Sequence, residues 1–134
     1  MGDDERMSTD FRQTLTTPVC EKTASTITFQ LTDQADVALA LASLTTLTLT
    51  LYDVVAPTAF FNSRNAQDIL GVNGGSVSAG GVLTLVLGNA DNVLTSQNNT
   101  EETHAALLRW TWSSGTRQGA KELLYSIVNQ VQIT

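Results

Sequence analysis

The chain has 134 residues, of which 42% are apolar and 15% charged, and its formal net charge is −6. This length fits one domain able to bury its own core, and the low charged fraction predicts a largely neutral, polar exterior. The acidic balance, with seven basic residues scattered along the chain, excludes nucleic acid and anionic membrane surfaces as expected partners.

The cysteine and histidine content excludes two further classes of protein. Cys20 is the only cysteine, so no internal disulfide can form and the disulfide-stapled secreted class is excluded. We interpret it as a tolerated thiol, with an intermolecular disulfide across an assembly as the alternative. His104 is the only histidine, which excludes zinc sites built from several Cys and His residues. We therefore expect no metal and no other cofactor.

The composition of residues 1–24 predicts an extended N-terminal arm, because this segment is too polar and too charged to build a core of its own. We expect the arm to lie on a neighbouring subunit in preference to folding back on its own domain. Its candidate partner-binding residues are Met7, Phe11, Leu15, Val19 and Cys20.

No targeting or membrane-spanning segment is visible in the sequence. The first ten residues lack the basic and apolar regions of a signal peptide. No apolar run approaches the roughly 18 residues that a membrane-spanning helix needs. We therefore expect a soluble protein made in the cytoplasm of its host cell.

The domain predicted over residues 25–134 begins with two segments of strict alternation. Residues 26–32 place Ile27, Phe29 and Leu31 on one face, which is typical of a half-buried strand. Residues 44–53 alternate leucine with threonine, and the β-branched threonine suits the wet side of a sheet. A helix would scatter these leucines around its circumference, so the period favours a strand.

Turn residues divide the middle of the chain into shorter segments. The runs Asn-Gly-Gly at 73–75 and Ala-Gly-Gly at 79–81 predict turns, because Asn and Gly accept positive φ. Residues 60–61 and 67–72 are predicted as short strands. Residues 82–87 predict a mostly apolar strand.

The last third of the chain predicts two long strands. The first covers residues 103–113 and has apolar residues on both faces, so we expect it to be central in its sheet. One of its faces carries Ala106, Leu108, Trp110 and Trp112. Residues 121–133 fit either a helix or a strand, and the preceding hairpin-type loop favours the strand. Seven or eight short strands at turn spacing predict an all-β sandwich.

The order of several segments is similar to that of a known family. They are TTLTLTLYD at 45–53, FNSRNAQDIL at 61–70, VSAGGVLT at 77–84, NAD at 89–91 and EETHAALLRWTW at 101–112. Over roughly residues 26–130, this order resembles the small immunoglobulin-like virion proteins of tailed bacteriophages and the N-terminal module of baseplate upper proteins.

The resemblance implies an immunoglobulin-like antiparallel β-sandwich of seven to eight strands. It also implies a non-enzymatic structural protein of the virion, in capsid decoration, the neck or collar, or the tail. Its implied partners are other virion proteins and copies of itself. Neither nucleic acid nor a membrane is expected as a partner, and the resemblance brings no catalytic residues.

An enzymatic reading of the sequence finds little support. His104 is the only ordinary general base near neutral pH, and Glu101-x-x-His104 has the spacing found in carboxylate-bridged metal helices. Such sites need a second copy of the motif and further carboxylates, so we interpret His104 as structural. No nucleophile elbow, phosphate-binding loop or dinucleotide glycine pattern occurs. We predict that the chain is not an enzyme.

Trp110 and Trp112 support an alternative function. The two residues are two positions apart and therefore share a face of their strand. A wet face would make them a sugar-binding platform, whereas a dry face would make them part of the core. The core is the preferred interpretation. A carbohydrate-binding sandwich acting in host-receptor recognition is the alternative.

Overall fold

A computed structural model describes residues 11–129, and this part of the chain is built almost wholly from β-strands. The strands are β1 Arg12–Thr14, β2 Val19–Cys20, β3 Ser25–Gln30, β4 Leu44–Asp53, β5 Gln67–Asp68, β6 Gly75–Val77, β7 Val82–Leu87, β8 Glu101–Trp112 and β9 Arg117–Val128. Two single 3-10 turns, Leu41–Ser43 and Phe61–Ser63, interrupt them. No helix within the described residues is long and apolar enough to cross a membrane.

The strands form two sheets that pack face to face. The larger sheet has the order β1-β9-β8-β4-β5, with β2 also paired to β9, and the smaller has the order β3-β7-β6. Within the described residues, the chain crosses between the sheets four times, from β2 to β3, from β3 to β4, from β5 to β6 and from β7 to β8. The trio β3-β7-β6 facing β9-β8-β4 follows the strand order of an immunoglobulin domain. The predicted immunoglobulin-like β-sandwich is therefore confirmed, with nine strands in the described part of the chain where seven or eight were expected.

Period-two alternation builds the core between the sheets. The inward leucines of β4 and β7 are all 0% exposed: Leu47, Leu49, Leu51, Leu83, Leu85 and Leu87. Burial of each side chain stabilises the fold by about 1.5–3 kcal/mol relative to an exposed one. Thr46, Thr48 and Thr50 of β4 lie on the opposite face and are partly or fully exposed. The predicted sorting of leucine from threonine is thus confirmed.

β8 is central in the larger sheet, as predicted, and brings both tryptophans into the core. Trp110 is 3% exposed, and its indole N–H donates a hydrogen bond to the carbonyl of Thr32 at 2.9 Å. Gly119 lies directly opposite Trp110 on β9. A Cβ atom at Gly119 would stand 2.7 Å from the indole ring, so the absence of a side chain there makes room for Trp110.

Two predicted strands in the middle of the chain are wrong or too long. Residues 60–61 form no strand beyond an isolated bridge from Phe60 to Tyr52, because Asn62 and Ser63 have positive φ and turn the chain into the second 3-10 turn. The strand predicted over residues 67–72 is limited to Gln67–Asp68. Gly71, at φ +78°, turns the chain soon afterwards. Local apolar content had suggested strands where backbone turns are required.

The strand prediction for the C-terminal segment is confirmed as far as Val128. β9 pairs with β8 in an unbroken antiparallel register from Arg117 to Val128. Leu123, Tyr125 and Ile127 point inward and are at most 2% exposed. Residues 130–134 lie outside the described part of the chain.

The N-terminal segment corrects a prediction, because residues 11–24 lie on their own sandwich. β1 and β2 pair in parallel with β9, which departs from the purely antiparallel arrangement that was expected. Leu15 and Val19 pack against the core. Main-chain pairing and apolar burial therefore hold this segment to its own domain, not to a neighbouring subunit. Met7 lies outside the described residues.

We predict that Gly119→Ala lowers the free energy of unfolding by about 1–3 kcal/mol, because the added methyl group collides with the buried indole. Urea unfolding followed by tryptophan fluorescence measures the change. Gly80→Ala is the matched control, since no atom lies within 4 Å of a Cβ there. The control should change stability by less than about 0.5 kcal/mol. Equal effects of the two substitutions would contradict this account of the Trp110 site.

Candidate docking surface

The outer face of the smaller sheet carries no charged side chain. Strand pairing places seven outward residues on it: Thr26, Thr28, Gln30, Ser76, Val82, Thr84 and Val86. Val82 and Val86 are 38% and 47% exposed. β-branched residues favour a regular pleated surface, and the centres of protein interfaces are depleted in charge. This outer face is therefore suited to contact with another protein.

The outer face of the larger sheet is different, because it carries charges. Glu101 and Arg109 are exposed there. Glu122 is 3% exposed and pairs with Arg12, whose Nε lies 2.5 Å from the glutamate Oε1. These charges favour water over a dry contact. The neutral face of the smaller sheet is thus the stronger candidate for docking.

Among the residues that the structure describes, nothing gives the β3 edge of the smaller sheet the usual protection against strand pairing. Proteins protect sheet edges with short strands, charges, proline or bulges. β5 and β6 have two and three residues, and Pro18, which has no N–H, separates β1 from β2. β3 has six uncharged residues in unbroken register with β7. It is the longest undefended edge in the described part of the fold.

A groove of about 640 Å³ runs beside the free edge of β3. One wall is formed by residues 15–20 and the other by residues 23–28, with Tyr125 between them. None of the lining residues is charged. Of the predicted partner-binding residues, Leu15, Val19 and Cys20 therefore meet at this groove. Phe11 is 41% exposed and is not part of its lining.

Cys20 has the character of an exposed free thiol. It lies on β2, at the end of the groove wall that residues 15–20 form. Because it is the only cysteine in the sequence, it cannot form an internal disulfide.

His104 lies in the interior at one end of the sandwich. It is 0% exposed, its Nε2 lies 2.9 Å from Glu102 Oε1, and its ring stacks on Phe61 with centroids 4.1 Å apart. Glu102 also accepts hydrogen bonds from Thr95 and Asn99. The carboxylate partner of His104 is therefore Glu102, whereas Glu101, which has the Glu-x-x-His spacing, is exposed on the opposite face of β8. Residues two apart on a strand share a face, and this spacing was the signal available in the sequence.

A buried ion pair that the sequence did not predict lies at the same end. Arg64 Nε and Nη2 contact Asp91 Oδ1 and Oδ2 at 2.6 Å and 3.1 Å. Gly88 N–H donates to Asp91 at 2.7 Å, and the Asn62 amide donates at 3.0 Å. These bonds tie the loop after β7 to the turn that precedes β5. Such bidentate pairs restrict geometry strongly.

The electrostatics of this end favour a structural role. Burial alone would raise the pKa of Glu102, but hydrogen bonds from His104, Thr95 and Asn99 lower it to about 2. Burial lowers the pKa of His104, and the nearby carboxylates of Glu102 and Asp53 oppose this only in part. A neutral imidazole that donates a hydrogen bond from Nε2 to an ionised carboxylate is consistent with the lowered pKa of both His104 and Glu102. With no exposed surface, His104 cannot reach a substrate.

The tryptophan alternative is corrected by the structure. Trp110 and Trp112 are 3% and 7% exposed and belong to the core cluster. Their shared face is dry because it packs against the smaller sheet, so they form no sugar-binding platform. Within residues 11–129, no group of three or more His, Cys, Asp and Glu side chains is arranged to hold a metal ion.

Comparisons of the chain with known proteins found no relative. No protein-family model matches the chain, and no match was found among curated proteins or among solved structures. The geometry and chemistry of the surface therefore carry the functional argument.

We predict that acid destabilises the fold in two stages. Because burial lowers the pKa of His104, only the unfolded chain gains its proton as the pH falls below 6.5, so stability drops from there. Glu102 keeps its charge in the fold but is protonated in the unfolded chain between pH 4.5 and about 2. The second stage costs on the order of 3 kcal/mol in all.

Urea midpoints measured from pH 7.5 downwards test this prediction. Glu102→Gln should flatten the loss below pH 4.5. The matched control Glu101→Gln, exposed on the same strand, should keep the pH profile of the natural chain. A profile that is identical for all three proteins would show that Glu102 does not control acid stability.

Proposed function

We propose that this chain is a non-catalytic binding module that joins a larger protein assembly through the outer face of its smaller sheet. The observation that carries the proposal is the neutrality of that face on a chain of net charge −6. Charged groups are costly to bury without a partner, and like charges repel. An acidic protein that must lie against a neighbour therefore gains from a contact area without charges.

Val82 and Val86 supply the apolar part of this contact. They lie four residues apart on β7, the central strand of the smaller sheet, and Thr84 lies between them on the same face. Burial of each valine contributes up to about 1.5 kcal/mol, given that both are only partly exposed. The surrounding threonines, Ser76 and Gln30 provide hydrogen-bonding groups that tolerate several partner geometries.

We further propose that the assembly is the virion of a tailed bacteriophage, with the chain in capsid decoration, the neck or collar, or the tail. The order of segments that resembles small immunoglobulin-like virion proteins supports this step, as does the neutral polar composition. Other virion proteins and copies of the chain are the proposed partners. The contact is proposed for the sandwich itself, because the N-terminal segment is paired with β9 through β1 and β2.

We predict that Val86→Lys weakens the association roughly tenfold or more, because it places a charge on the neutral face, at its most exposed valine. Two measurements test this prediction. The first is the number of copies of a tagged chain per particle purified from infected cells, and the second is the extent of self-association in sedimentation velocity. The variant should unfold within about 0.5 kcal/mol of the natural chain, since Val86 is outside the core.

The matched control is Thr103→Lys, which places the same charge on the exposed face of the larger sheet. It should associate like the natural chain. Unchanged association of Val86→Lys would contradict the docking face. A natural chain that enters no particle would contradict the virion assignment, whatever the variants do.

A further inference from the structure

We propose that the free edge of β3 accepts a single extended strand from another protein chain, with an uncharged sequence that alternates apolar and small polar residues. This inference rests on the proposed function as a binding module and names the kind of partner segment. Strand addition to an exposed sheet edge is a general mode of peptide recognition, with affinity from the main chain and specificity from alternate side chains.

The hydrogen-bond pattern of β7 shows which groups of β3 are available. Val86 N–H donates to the carbonyl of Gly74 at 2.8 Å, and the carbonyl of Val82 accepts from Ser78 at 3.0 Å. The even-numbered residues of β7 therefore direct their main chain towards β6, and the odd-numbered ones towards β3. Both main-chain groups of a strand residue point to the same side, and the sides alternate.

The strand register then assigns the free groups. Leu83, Leu85 and Leu87 lie opposite Phe29, Ile27 and Ser25. The main-chain groups of these odd-numbered residues of β3 therefore bond to β7. The main-chain N–H and C=O groups of Thr26, Thr28 and Gln30 point away from β7, at the free edge of the sheet. Within residues 11–129, β3 makes no backbone hydrogen bond beyond its ladder with β7. An added strand can therefore continue the ladder.

The groove determines the chemistry of the added strand. Alternate side chains of that strand would point inward, over Leu15, Val19 and Tyr125 on the opposite wall and floor. Because no lining residue is charged, an inward charge would lose its water without gaining a partner. The inward positions therefore require apolar side chains, and the outward positions continue the neutral face with threonine or serine.

The far wall of the groove favours an isolated strand as the occupant over a second sandwich. Residues 15–20 form the far wall and are fixed to β9 by the bond from Leu15 N–H to the Leu124 carbonyl, 2.7 Å long, and by the β2 pairing. A second sandwich that approached with its own β3 would bring its own 15–20 segment into the same space. An isolated extended segment meets no such obstacle.

Thr28→Pro is the central test, because proline removes one outward N–H and leaves every bond to β7 in place. The probe is a capped hexapeptide of alternating valine and threonine, titrated into the full ¹⁵N-labelled chain and followed by NMR. The natural chain should bind it saturably, and the amides of Thr26, Thr28 and Gln30 should gain protection from hydrogen exchange. Thr28→Pro should bind roughly tenfold more weakly.

Two controls make the result decisive. Thr28→Val keeps the N–H and should bind as the natural chain does, and a peptide with lysine in place of valine should not bind. No saturable binding, or equal binding by Thr28→Pro in a folded state, overturns the proposal. So do shifts confined to Val82, Thr84 and Val86. Because Val86→Lys tests the docking face separately, strand addition can fail while the proposed function stands.

Discussion

The leucine layer shared by β4 and β7 is the constraint on which the rest of the structure depends. These side chains lie in one fully buried cluster between the two sheets. A slip of either strand by one residue would turn threonine or valine inward and leucine outward, at a cost of several leucine burials. The layer thus fixes the register of the smaller sheet. It thereby fixes which side chains form the neutral outer face and which main-chain groups point out of the edge.

The sequence predicted those features that depend on a local period, and it did so for a physical reason. Alternation of leucine with threonine in β4 reflects one buried and one solvent-facing side of the strand. Both the strand and the identity of its buried face could therefore be predicted from the sequence. The Arg64–Asp91 pair and the pairing of β1 with β9 were not, because each joins residues far apart along the chain. The edge position of β3 was hidden for the same reason, since it depends on the order of strands in the sheet.

Charge is distributed unevenly over the fold, and this distribution separates stability from binding. The Glu102–His104 and Arg64–Asp91 pairs are buried at one end, where they fix the loops between strands. The buried Arg64–Asp91 ion pair adds little net stability, because desolvation offsets the attraction, but it specifies geometry. The exposed charges lie largely on the other sheet and in loops. The smaller sheet is left without charges, and its contacts are then governed by shape, apolar burial and main-chain hydrogen bonds.

The position of the N-terminal segment changes the meaning of its apolar residues. Leu15 and Val19 were expected to reach towards a partner, and Cys20 was grouped with them. On the structure they line a groove on their own domain instead. Had these residues paired with β3, they would have closed the smaller sheet and removed its free edge. Because they pair with β9, β3 stays open and the segment becomes the far wall beside it. The segment that was expected to lie on a neighbouring subunit thus forms one wall of the groove that, in our proposal, receives a strand from another chain.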